Sequence, residues 1–181
     1  MPRMNGTSPS ASTAGPTMTV DFGVQADDAE KLFLKLENLL SPEMLAVFMA
    51  GPVVQHFQQR FNEFFEDQGT PSGAWQPLSE VTIADRVEQG FGPGPINERT
   101  GQLRDFITDS PGEVRVLATL AVLTYPGPLP SGELGRKVKT AQQGGTFSGH
   151  SVPARPVMEI DETDMLFTMS ALNFYIERGM E

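Results

Sequence analysis

SPEMLAVFMAGPVVQHFQQRFNEFFE, residues 41 to 66, is the stretch on which the fold turns. Ser41 followed by Pro42 reads as an N-cap and a proline at the first helical position, where a missing N–H is harmless. The helix that follows should carry Leu45, Phe48, Val54, Phe57, Phe61, Phe64 and Phe65. Gly51-Pro52 predicts a break or kink inside it, because proline removes one helical hydrogen bond.

Upstream, Leu32, Phe33, Leu36, Leu39 and Leu40 fall at helical spacing, with Asp27, Asp28 and Glu30 at the end where the helix dipole favours negative charge. MTVDFGV, residues 18 to 24, alternates apolar and polar as a half-buried strand does. Residues 1 to 17 are Ser, Thr, Gly, Pro and Ala with almost no charge, too polar to order themselves. They predict a flexible N-terminal arm that takes its order from partners.

Downstream, residues 69 to 95 read as irregular, with a short helical piece around Ser79 to Gln89 and another over Arg99 to Ile107. VRVLATLAVLTY, residues 114 to 125, is the strongest strand, and its apolar run predicts burial on both faces. Residues 127 to 149 read as a long Gly-rich loop with Arg136, Lys137 and Lys139 as its basic centre. In HSVPARPVMEI, residues 150 to 160, Pro153 and Pro156 bias their predecessors to extended geometry, so Arg155 sits on a rigid arm. MEI then reads as a short strand, and Asp161 to Gly179 as a helix with Met165, Leu166, Met169, Leu172 and Ile176 on one face. The fold class is α+β: a small antiparallel or mixed sheet packed by two or three helices, one domain over residues 18 to 181.

Composition narrows the chemistry. In 181 residues there are 18 glycines and 15 prolines, which favours long loops. Cysteine is absent, so disulfides and thiolate metal sites are excluded. The net charge of −10 repels phosphate and disfavours tight nucleic-acid binding. Neither an apolar leader nor a membrane-length apolar run is present, and a soluble chain made in the cytoplasm is expected.

Candidate reactive groups are few. His56 lies within the Phe-rich helix, where a packing or surface role is expected; His150 has no carboxylate at ligand spacing. Ser148 and His150 stand two apart in a loop, which does not define a triad, and no Gly-x-Ser-x-Gly elbow occurs. Neither GFGPGP nor GPLPSGELGRK has the order of a phosphate-binding loop. Glu159, Asp161, Glu162 and Asp164 read as a solvated helix start. Arg136, Lys137 and Lys139 could meet DNA phosphates or an acidic neighbour; against the net charge the neighbour is favoured. No catalytic, cofactor or metal site is expected.

Three blocks in order, PSGAWQPLSEVT (71 to 82), INERTGQLRDFI (96 to 107) and VPARPVMEI (152 to 160), resemble the virion morphogenesis and tail-completion proteins of Mu-like and P2-like phages. Those proteins are related in role to siphophage neck and tail-completion proteins. Pro71 and Gly73 build the turn that delivers Trp75, the only tryptophan, as an anchor on the core ahead of Leu78. Thr100-Gly101 begins a short helix with Leu103 and Phe106 facing inward.

The resemblance implies a non-enzymatic structural protein of the neck or tail end of a virion, a tail-completion or tail-terminator protein serving head-tail joining. It implies assembly as a ring, a hexamer, around the DNA channel, with genomic DNA passing through the lumen without specific binding. The partners would be a tail tube protein and neck or head-completion proteins, with no membrane involved. Arg155, flanked by Pro153 and Pro156, is then expected to pair with a neighbouring subunit's carboxylate. One departure from the family pattern stands out: Tyr125 is followed by PGPLPSGELG with no histidine. Alternatives are a head-completion or stopper protein beside the portal adaptor, a phage-encoded hydrolase, and a module that binds a host target.

Overall fold

The computed structural model describes residues 26 to 147 and 150 to 180; the arm over 1 to 17 and the strand expected at 18 to 24 lie outside the described residues. Helix α1 (Ala26–Leu39) leads into α2 (Pro42–Phe48), capped as the sequence predicts: Ser41 Oγ accepts the Met44 N–H at 3.4 Å. Ser41→Ala should cost about 1 kcal/mol, read as a drop of about 2–4 °C in Tm.

Gly51-Pro52 does not break the helix. Residues Met49–Val53 widen into one π-helical turn, flanked by ordinary helical dihedrals at Phe48 and Val54, and the chain continues as α3 (Val54–Asp67). The wider turn accommodates a residue that cannot donate. At the end of α3, Gln68 adopts left-handed geometry (φ 52°) while its N–H reaches Phe64 O.

Around α3 the core assembles. Phe61, Phe64 and Phe65 meet Trp75, Leu103 and Ile107 of α5 (Gln102–Thr108), Val138 and Ala141 of α6 (Gly132–Gln143), and Val157 of the following arm. Gly101, at φ 75°, supplies the left-handed turn that starts α5. The remaining helices are α4 (Glu80–Glu88), capped by Ser79, and α7 (Glu162–Met180).

The fold is α+β, and among the described residues the strands form three separate antiparallel hairpins rather than one sheet. They are β1 (Gly69–Thr70) with β2 (Gly73–Ala74), β3 (Glu113–Val116) with β4 (Ala121–Thr124), and β5 (Gly145–Phe147) with β6 (His150–Val152). The apolar run 114 to 125 is therefore not one buried strand. It doubles back, pairing Glu113 with Thr124 and Val116 with Ala121, and Leu117 N–H closes onto Leu120 O at 2.8 Å. Val116, Leu117, Leu120 and Val122 project into solvent.

Two further expectations are corrected. The span 127 to 149 is not a loop, since α6 occupies its middle and buries Val138 and Ala141. MEI is not a strand: the Val157 and Met158 N–H groups both donate to the Gln142 side-chain carbonyl at 3.2 Å, and Gln142 Nε2 donates to Met158 O at 2.7 Å. One side chain on α6 replaces a strand partner.

Helix α7 is also turned from its expected orientation. Met165, Leu166 and Met169 are exposed, and the buried residue of its first turn is Asp164. Near its other end α7 lies so close to α1 that a Cβ on Gly179 would fall 2.5 Å from the Leu39 side chain.

Tyr125 bridges the β3–β4 hairpin to the core by donating to Ile107 O at 2.6 Å. Burial, helped by the charge of Asp109, pushes its phenol up to about 12. Because the folded state holds the neutral phenol, this stabilisation is complete below pH ~10 and disappears as pH rises from ~10 to ~12. Urea unfolding across that window should show a loss that Tyr125→Phe lacks.

Candidate functional site

Two structures built from the resemblance blocks sit side by side, a buried arginine clamp and an open cationic cleft. The clamp begins at the β1–β2 hairpin, whose tight turn delivers Trp75 inward; Trp75 N–H donates to Gln68 O at 2.7 Å. The indole stands edge-on to Phe65 with centroids 5.5 Å apart, and its Nε1 donates to Pro156 O at 2.7 Å. That bond ties the hairpin to the proline arm.

Arg155 locks the same joint from the other side. Its backbone N–H donates to Ala141 O at 2.7 Å, its Nε to Gln76 O at 2.7 Å and its Nη2 to Pro77 O at 3.1 Å. With 7% of its surface exposed and no carboxylate beside it, burial pulls its pKa down. The guanidinium expected to meet a neighbour's carboxylate is held, between Pro153 and Pro156 in sequence, by backbone carbonyls of its own subunit. Arg155→Ala should lower stability by about 2–3 kcal/mol, since two charge-assisted hydrogen bonds are lost, and Arg155→Lys should recover only part. Guanidinium titration followed by Trp75 fluorescence would read both.

The cleft, about 450 Å³, opens between α4, the 89 to 100 segment, α5, α6 and the arm at Val152-Pro153. Its wall combines Phe91, Leu103, Ala141 and Val152 with Thr82, Thr100 and Thr140. Arg86 lies at its buried side, 4% exposed, donating from Nη1 to Pro95 O at 2.9 Å and from Nη2 to Gly94 O at 3.3 Å. Its Nε has no hydrogen-bond partner, and neither does Asn97 Nδ2. Burial, reinforced by the charge of Arg99, pulls the Arg86 pKa down.

At the rim, Arg99 lies over the Phe91 ring at 4.8 Å and reaches Asp85 at 3.6 Å. Lys137 pairs with Glu133, one turn earlier on α6, at 2.9 Å, and lowers the pKa of that carboxyl. The lining carries no histidine and no carboxylate other than Glu133.

The structure thus unites Lys137, Pro153, Thr100 and Leu103 at the cleft, and Trp75, Arg155 and Pro156 at the clamp. Gly101 supports α5, and Leu78 is half-buried beside Pro77 in the segment leading to α4. Arg136 and Lys139 stay exposed on α6 without an ion pair among the described residues. Arg86, Asn97 and Arg99 had not stood out in the sequence, because a single arginine in a short amphipathic helix carries no signal of burial.

A polar joint lies elsewhere, where α3 meets α7. Asp164, 1% exposed, receives His56 Nε2 at 2.7 Å and lies 3.6 Å from Arg60 Nε; Arg60 Nη2 also donates to Asp161 at 3.1 Å. The His56 ring also stacks on Phe167 with centroids 4.0 Å apart, so the side chain packs and bonds a buried carboxylate at once. The acidic run is thus not wholly a solvated helix start, because Asp164 is its buried member.

Among the described residues no group of three or more His, Asp or Glu could hold a metal ion, and no helix is long and apolar enough to cross a membrane. No family model, curated protein or solved structure matches the chain significantly.

Proposed function

We propose that the chain is a non-enzymatic structural component of a tailed-phage neck or tail end, a tail-completion or tail-terminator protein that assembles as a sixfold ring around the DNA channel. One observation supports this reading above the rest. Each of the three blocks resembling the tail-completion family gives at least one residue to the core, among them Trp75, Leu103 and Val157, and at least one to the cleft wall, among them Thr82, Thr100 and Pro153. The blocks, far apart in sequence, meet at a single joint.

Surface character agrees with assembly. Exposed apolar side chains occur on α1 and α7 (Phe33, Leu34, Met165, Leu166, Met169, Phe174) and at the β3–β4 hairpin tip, side chains of the kind that protein–protein contacts cover. A heterologous contact between two different patches closes a ring. The net charge of −10 lets DNA pass the lumen without being held.

The test is genetic and visual. Deleting the gene from the phage that carries it should leave filled heads and separate tails in electron micrographs, and a plasmid copy should restore joined particles. Normal joined particles from the deletion would overturn the proposal.

A further inference from the structure

We propose that the cleft between α4, α5 and α6 is a binding site for an apolar ligand bearing a single carboxylate. The charge inventory leads there. Arg86, Arg99 and Lys137 line the cleft against one anion, Glu133. Glu133 is held by Lys137 at 2.9 Å, and Arg99 has Asp85 at 3.6 Å. Glu98, whose charge reaches Arg86, is engaged by Arg104 at 2.9 Å.

One cation is left over. Arg86, 96% buried, makes no ion pair among the described residues and bonds only to the Gly94 and Pro95 carbonyls. A buried charge without a counter-charge is costly, and an anion entering the cleft offsets that cost.

The unpartnered polar atoms agree in sign. Arg86 Nε and Asn97 Nδ2, both buried without a partner, are donors. A carboxylate supplies acceptors and one negative charge. A phosphate dianion fits less well, because one spare cation faces it and Glu133 repels it. Beside Thr82, Gln89, Thr100 and Thr140, the wall's Phe91, Leu103, Ala141, Val152 and Pro153 offer a surface for a hydrocarbon or aromatic body, in a volume ordinary for a ligand site. This inference rests on the cleft alone and holds whether or not the chain forms a ring.

The experiment uses the full chain and three probes of one shape: phenylacetate, phenylacetamide and phenethylamine. Calorimetry measures affinity, and the methyl resonances of Leu103, Ala141 and Val152 locate the site. Phenylacetate should bind at least about tenfold tighter than the amide or the amine, with shifts at those three residues. Raising salt from about 0.05 to about 0.5 M should weaken it several-fold.

Arg86→Met should abolish the preference for the acid, and Arg99→Gln, at the rim, should weaken phenylacetate about three- to fivefold without disturbing the core. Acetyl-Leu-Glu-Phe-amide distinguishes the source: tighter binding than phenylacetate means that a polypeptide presents the acid, and weaker binding means a free small molecule. Equal binding of the three probes, shifts confined to residues outside the cleft, or no saturable binding would overturn the site.

Discussion

Trp75→Ala is expected to lower the stability of the chain by about 3–5 kcal/mol. The indole fills the joint where the β1–β2 hairpin, α3 and the proline arm meet, 5% exposed, in edge contact with Phe65. Truncation leaves a cavity that these three elements cannot all close, and it orphans Pro156 O, which now accepts from Nε1 at 2.7 Å. Trp75→Phe should restore most of the packing but not the hydrogen bond, and so fall between. Because Trp75 is the only tryptophan, unfolding of these variants is best followed by circular dichroism in urea. A loss below about 1 kcal/mol for Trp75→Ala would mean that the three resemblance blocks do not share a core.

Asp164→Ala is the second large effect, about 3–5 kcal/mol, by a different route. Nothing apolar is lost; two basic groups lose their partner. His56 Nε2 and Arg60 Nε face the Asp164 carboxylate, and its Oδ2 accepts the Asp161 N–H at 2.9 Å, holding the first turn of α7. Removing it leaves Arg60 with Asp161 and the half-exposed Glu63 alone. The double variant Asp164→Ala/Arg60→Met should be less destabilised than the sum of the single changes, because the unpaired charge is removed with its partner. Simple additivity in urea titrations would mean that the pair is not coupled.

The parts of this fold that were readable are those set by periodicity and capping. The phenylalanines of α3 announce themselves by spacing and the Ser41-Pro42 start by capping; helices were also expected near α4, α5 and α7, but Met165, Leu166 and Met169 of the stripe expected inside α7 are exposed. What was hidden has particular causes. In α6, four residues of GELG disguise a helix whose Leu134, Val138 and Ala141 repeat every three to four residues; composition there spoke against a pattern that was present. The β3–β4 hairpin turns at LATL without Gly, Pro, Asn or Asp, so no turn chemistry marked it.

Side-chain direction was the least legible. Arg155 is held by backbone carbonyls 78 and 79 residues away, and Gln142 stands in for a missing strand. Both depend on tertiary placement that no local rule encodes. The residues of the clamp were singled out but not the backbone carbonyls that hold them, while the cleft, made from α4 to α6 and a bend of the arm, exists only once the chain has folded.

The central claim concerns where the chain works, and cross-linking mass spectrometry on purified particles tests it most directly. Lys139 is exposed on α6 and free to react, and Lys137 lines the cleft. The account predicts links from these lysines to a tail tube or neck protein, together with links between two copies of this chain. Absence of the chain from particles, or links to host enzymes alone, would contradict it.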